Sequence, residues 1–144
     1  MRDEVTQLME SIKEVFRSIH SRTYHKSEKD HLYPGQPKLL VLIRDNEGIR
    51  QKDLSCRNGV KPATITGMLN KLEAKQYVYR VPDETDRRSM RVYLTPEGRR
   101  LADYSAQFME DMIEQLFVGF SDEELKTLML LTSKMRDNLN RNPK

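Results

Sequence analysis

A mainly α-helical fold carrying one small β-hairpin is predicted by three features of the sequence. Apolar residues recur at three- and four-residue steps near both ends of the chain. Two β-rich runs flank a polar loop in the second half, and helix-start signals stand where each helical period begins.

In chain order, Val5, Leu8, Met9, Ile12, Val15, Phe16 and Ile19 form a single stripe and predict an amphipathic helix of roughly five turns. Residues 24–30 lose that period and read as a connector. Pro34, Gly35, Gln36 and Pro37 turn the chain, and Pro37 suits the first turn of the next helix. That helix carries Leu39, Leu40, Leu42 and Ile43 and is expected to be buried. Gly48, after Asp45, Asn46 and Glu47, is available for a left-handed cap. A short helix over 51–57, a turn at Asn58 and Gly59, and a helix over 62–75 follow. The period then changes from helical to two. Residues 77–81 and 90–94 are β-rich runs around the polar stretch 82–89, which makes a hairpin. Thr95, Pro96 and Glu97 start a long helix, with a capping hydroxyl, a proline at the first position and an acid at the positive end. Its core face carries Leu101, Phe108, Met112 and Leu116. Ser121 and Glu124 form a capping box that opens a last helix bearing Leu125, Leu128, Met135 and Leu139.

Composition narrows the function. The 144 residues are one domain's worth, yet only 37% are hydrophobic and 33% are charged. Small, charge-rich helical chains of this kind complete their core by association. Acids run through MRDEVTQLMESIKEVF, so no signal peptide is expected, and no apolar run nears the roughly 18 residues of a membrane span. The single cysteine, Cys56, excludes an intrachain disulfide framework. A cytoplasmic protein without membrane association is expected. The net charge of +3 is unevenly spread: residues 48–91 hold ten Lys/Arg against five Asp/Glu, while residues 101–125 hold seven acids and no base. A basic middle between acidic helices suggests a polyanion reader held by a scaffold.

The segment 53–68 carries the sharpest signal. A helix-turn-helix needs a small residue where its helices touch, a glycine at the turn and apolar residues locking the second helix. Ser55, Gly59, and Leu54, Val60, Ile65 and Met68 fill those places. The second helix then presents Lys61, Ala63, Thr64, Thr66, Gly67, Asn70 and Lys71, with no acid before Glu73. Short polar groups can approach base edges while the lysines reach phosphate, helped by the positive helix terminus. Gly67 weakens the helix by about 1 kcal/mol, which makes sense where backbone must approach a partner. A small helical hairpin buried in a core would read similarly. In the hairpin loop, Arg87 and Arg88 stand at the tip with Arg91 just inside the second strand. Arginines on a thin ribbon can enter a minor groove, and Asp86 can hold Arg88 extended. The bland reading of this loop is a solvated turn.

Together these pieces resemble the MarR family of bacterial regulators. The helix-turn-helix runs into Asp83-Glu84-Thr85-Asp86-Arg87-Arg88, followed at fixed distance by Leu94-Thr95-Pro96-Glu97-Gly98, the family's wing pattern. The resemblance implies a winged helix-turn-helix with dimerisation through N- and C-terminal helices. It also implies a single domain over 1–144, in which 1–30 and 96–144 dimerise and 31–95 form the DNA-binding lobe. It places Pro62, Ala63, Thr64, Thr66, Gly67, Asn70 and Lys71 at the DNA, with Arg87 and Arg88 from the wing and Asp86 orienting them; Lys61 and Arg91 complete the expected interface. Three positions depart from the family pattern: Asn58 replaces a buried leucine, Gln76 replaces a glycine and is expected to lengthen the recognition helix slightly, and Arg50 replaces a Ser/Thr cap.

The expected partners are double-stranded DNA, a second copy of the chain and a small aromatic or lipophilic effector. A pocket near Tyr24, Tyr33, Leu39 and Met112 is the expected effector site. His20, His25 and His31, with Glu28 and Asp30, offer metal-ligand groups, but their spacing fits no compact motif, so neither metal nor cofactor is expected. Cys56 beside Arg57 is a weaker candidate for oxidant sensing, since a resolving thiol would have to come from another subunit. No phosphate loop, nucleophile motif or aligned His–carboxylate pair points to catalysis. The expected function is repression through a pseudo-palindromic operator, with effector release. The alternative is a winged-helix module that binds an acidic protein partner.

Overall fold

The computed structural model describes residues 1–29 and 32–141, with side chains for all of these except 24–29. It divides into two compact units, Met1–Phe108 and Met109–Lys144.

In the first unit, α1 spans Arg2–Lys29 and carries the predicted apolar stripe. It does not stop at residue 24. No glycine or proline interrupts 24–29, and extending a formed helix costs far less than starting one, so the expected connector is helical through Lys29. Next comes α2 (Gln36–Asp45), with Gly35 left-handed before it and Pro37 in its first turn. Leu39, Leu40 and Ile43 are fully buried, as the sequence predicts. The helix-turn-helix is α3 (Gln51–Asn58) and α4 (Pro62–Ala74), joined through Gly59 at φ 68°. Ser55 is buried between them, and its carbonyl accepts the N–H groups of Gly59 and Val60 at 3.0 and 3.3 Å.

The hairpin consists of β2 (Val78–Pro82) and β3 (Met90–Leu94). A further strand, β1 (Ile49–Arg50), pairs antiparallel with β3, Ile49 opposite Val92 and Arg50 opposite Arg91, so the sheet order is β1-β3-β2. Two residues are too short to show a period in sequence. The core joins Leu39, Leu40, Ile43, Leu54, Ile65, Leu69, Leu72, Val78, Val92, Leu94, Leu101 and Ala102, with Val60 and Met68 packed at its margin. Thus the apolar lock assigned to the helix-turn-helix also seats the sheet.

Thr95 caps α5 (Pro96–Leu116), its hydroxyl accepting the Gly98 N–H at 3.0 Å. In the second unit, Ser121 and Glu124 close the predicted capping box before α6 (Asp122–Arg141): Ser121 N–H reaches the Glu124 carboxylate at 2.8 Å, and Glu124 N–H reaches the serine hydroxyl at 3.3 Å. The first of these bonds holds the Glu124 carboxyl below its ordinary range. Apolar side chains stay exposed on the terminal helices: Val5, Leu8, Val15 and Phe16 on α1, and Met129, Leu130, Leu131 and Leu139 on α6. No helix of the described residues is long and apolar enough to cross a membrane.

Candidate nucleic-acid interface

The reading face of α4 is on the surface. Lys61, Pro62, Ala63, Thr64, Thr66, Gly67, Asn70 and Lys71 are all exposed, while Ile65, Leu69 and Leu72 bury the opposite face. A Cβ built on Gly67 meets nothing within 4 Å, so no intramolecular contact requires the glycine. Lys71 and Lys75 lie over the Tyr33 ring, 4.4 and 5.2 Å from its centroid, which ties two cations to the end of the recognition helix.

Beside this face stands the wing. Asp86 accepts the Arg88 backbone N–H at 3.1 Å, and its carboxylate lies 3.5 Å from Arg88 Nε, the orienting contact expected from sequence. The Arg88 side chain is 96% exposed. Arg87 is also exposed. Gln51, Lys52, Pro62, Thr66, Arg88, Ser89 and Met90 line one cleft of about 400 Å³, so the start of the recognition helix and the inner side of the wing share a basic concavity. Arg91 is engaged within the protein. It donates to the Gly48 carbonyl at 2.6 Å and approaches Asp83 at 3.5 Å, because its place opposite Arg50 in the β1–β3 register turns it toward the wing base.

Two residues outside the predicted interface organise it. Asp83 is buried at the base of the wing, where it accepts the Thr85 N–H and hydroxyl, both at 3.1 Å, and Arg50 Nε at 2.6 Å. The Thr85 N–H, with Arg50 assisting against the cost of burial, lowers its pKa to about 2. Arg50 therefore serves the wing, which accounts for its departure from the usual cap; at the N-terminus of α3 it makes no side-chain cap bond. The second residue, Arg80, bonds Glu73, Asn70 and Gln51 beneath the reading face. Alternation in β2 would have found it, since Arg80 shares a face with buried Val78.

Gln76 does not lengthen α4; it takes a left-handed conformation at φ 59° and terminates the helix. Asn58 is buried like the leucine it replaces, and its Oδ1 has no hydrogen-bond partner.

The expected effector residues have different settings. Leu39 is fully buried in the core, Tyr33 is half-exposed under two lysines, and Met112 is buried on α5 in the second unit. The Tyr24 side chain lies outside the described residues, as do those of His25 and Glu28, and Asp30 and His31 entirely. His20 and Cys56 are exposed, and among the described residues no group of three His, Cys, Asp or Glu is placed to share a metal.

A helix-turn-helix running directly into an arginine-tipped β-ribbon defines a winged helix-turn-helix protein. Residues 32–90 match the model of the MarR family. The uncharacterised HTH-type transcriptional regulator YybA of Bacillus subtilis is 26% identical over 137 residues, 95% of this chain and 91% of that protein. Among solved structures, a MarR protein from Peptoclostridium difficile is 27% identical with a TM-score of 0.79, covering 93% of this chain and 88% of that one. Streptococcus pneumoniae FabT in complex with DNA shares the fold at 22% identity and a TM-score of 0.82, covering 95% and 98%. Over residues 32–90 the chain thus matches the MarR family, and over most of its length it is similar to HTH-type transcriptional regulators with a winged helix-turn-helix.

Proposed function

We propose that this protein is a transcriptional regulator that binds duplex DNA sequence-specifically as a homodimer, represses by occupying a pseudo-palindromic operator in a promoter, and is released by a small aromatic or lipophilic effector. The observation that carries DNA binding is the shared basic cleft: α4 enters a major groove while Arg88, in the exposed ribbon loop, reaches the adjacent minor groove. In this reading Lys61, Pro62, Ala63, Thr64, Thr66, Gly67, Asn70, Lys71, Arg87 and Arg88 face the DNA, with Asp86 and Arg91 bracing the wing. That FabT was captured with DNA in the same fold supports it.

Residues 1–30 and 96–144 supply the dimerisation helices, and 31–95 form the DNA-binding lobe. The exposed Val5, Leu8, Phe16, Leu130, Leu131 and Leu139 support this division, because apolar helix faces of that size call for a partner. Sedimentation tests it directly, with a dimer expected at micromolar concentration.

The deciding experiment is selection from random duplexes followed by salt titration of the selected site. The expected result is an inverted repeat with half-sites about one helical turn, ~34 Å, apart, and affinity that falls steeply with salt. A chain that enriches no duplex overturns the proposal and leaves an acidic protein as the partner. Effector release is tested by screening phenolic and lipophilic compounds for dissociation of the complex.

A further inference from the structure

The hydrogen bonds beneath the reading face have a fixed polarity. Arg80 is half-buried, with 18% of its side chain exposed, and a guanidinium can only donate. Its Nε donates to Glu73 Oε2 at 3.0 Å, and Nη2 reaches the same carboxylate, anchoring the group. Nη2 also donates to Asn70 Oδ1 at 2.8 Å, and Nη1 to Gln51 Oε1 at 3.4 Å. Asn70 must therefore turn its oxygen toward Arg80, since its NH₂ would set donor against donor. The same logic orients Gln51, whose Nε2 donates to Thr66 Oγ1 at 3.0 Å, while the Thr66 hydroxyl donates to the Pro62 carbonyl at 3.1 Å.

Resting on the DNA-binding reading above, we infer that Arg80 is a specificity-positioning residue: it presents Asn70 to the major groove as a hydrogen-bond donor, so that each half-site carries guanine in preference to adenine where Asn70 reads. An asparagine free to turn reads adenine with two bonds, its oxygen accepting from N6 and its nitrogen donating to N7. With Oδ1 held by Arg80, the exposed NH₂ meets two acceptors on guanine, O6 and N7, but one acceptor and one competing donor on adenine. Thr66, by contrast, has its proton committed to Pro62 and offers DNA no donor; its contribution is its methyl group and the lone pair that Gln51 leaves free.

The test is selection from random duplexes with the full-length wild type, Asn70→Ala and Arg80→Met, each checked for folding by circular dichroism. In the wild type, guanine should exceed adenine by on the order of tenfold at one position per half-site. That preference should vanish in Asn70→Ala and turn toward adenine in Arg80→Met. If Arg80→Met fails to fold, the wild type decides: replacing the selected guanine by 7-deazaguanine, which lacks N7, should weaken binding several-fold, and Asn70→Ala should abolish that sensitivity. Enrichment of adenine by the wild type, an unchanged preference in Arg80→Met, or indifference to Asn70→Ala overturns this inference while leaving the regulator reading intact. Failure of the wild type to enrich any duplex overturns both.

Discussion

Arg50 Nε donates to Asp83 Oδ2 at 2.6 Å, joining the N-terminus of α3 to the base of the wing across 33 residues of sequence. The bond runs between the helix-turn-helix and the ribbon that presents Arg88, so it helps set how the two elements stand together. Within the ribbon, Asp83 N–H donates to the Ser89 carbonyl at 2.8 Å and closes the loop. The first aspartate of the wing pattern is thus a structural hub, whereas Asp86 orients the tip.

Acid should loosen this joint in an Asp83-dependent way. The folded pKa of about 2 lies below the ordinary 3.8, so the carboxylate's contribution is complete above 3.8 and disappears as pH falls from there toward 2. Asp83→Asn should be less stable than the wild type at neutral pH, and the gap should narrow through that window. Chemical denaturation at several pH values measures it; a gap independent of pH would contradict the assignment.

Gly98 explains the glycine that ends the wing pattern. A Cβ there would stand 1.8 Å from the Tyr77 carbonyl oxygen, and both partners are backbone or fixed to it, so neither can swing aside. That carbonyl also accepts the Thr95 N–H at 3.0 Å, which locks the start of α5 onto the strand. Gly98→Ala should cost about 3 kcal/mol by overpacking, seen as a lowered midpoint in urea.

Gln76 invites the reverse substitution. Tyr77 N–H donates to the Leu72 carbonyl at 2.9 Å and Gln76 N–H to the Glu73 carbonyl at 2.9 Å, the bonding of a Schellman motif, with glutamine in its left-handed position. Gln76→Gly should raise stability by about 1 kcal/mol and leave the fold unchanged. A lower melting temperature would show that the glutamine side chain contributes more than its backbone strain costs.

Local signals made most of the fold legible. Thr95, the Ser121–Glu124 box, Gly59 and the apolar steps of α2 and α4 act within a few residues, and each element they mark is present. Three features were not legible for one physical reason, which is that their partners are distant in sequence. β1 exists only through pairing with Val92 and Arg91; the hub at Asp83 needs Arg50; and the orientation of Asn70 needs Arg80 from a strand ten residues on. The end of α1 failed differently. Periodicity marks an apolar face, and a formed helix can continue past the last residue of that face where no glycine or proline breaks it.

Gly67 should separate stability from function. Its added methyl would find open space, so Gly67→Ala should stabilise α4 by about 1 kcal/mol. On the reading face the same methyl intrudes where the backbone meets a groove, and operator affinity should fall. Thermal denaturation and binding measured on one preparation would show opposite signs. Equal affinity in a stabilised variant would mean that DNA does not approach this turn of the helix.

Arg88 gives the sharpest test of the wing. Its side chain is 96% exposed and pairs with Asp86 alone among the described residues, so Arg88→Ala should leave stability within about 0.5 kcal/mol of the wild type. Operator affinity should drop, and the slope of log affinity against log salt should shrink by about one charge. Arg88→Lys distinguishes the two places the side chain can reach. A phosphate contact needs only a cation, and lysine should restore binding. A narrow minor groove favours the guanidinium, which sheds water more readily, so lysine should then restore the salt slope while leaving affinity for A·T-flanked sites low. Unchanged affinity in Arg88→Ala would remove the wing from the interface and leave the recognition helix to act alone.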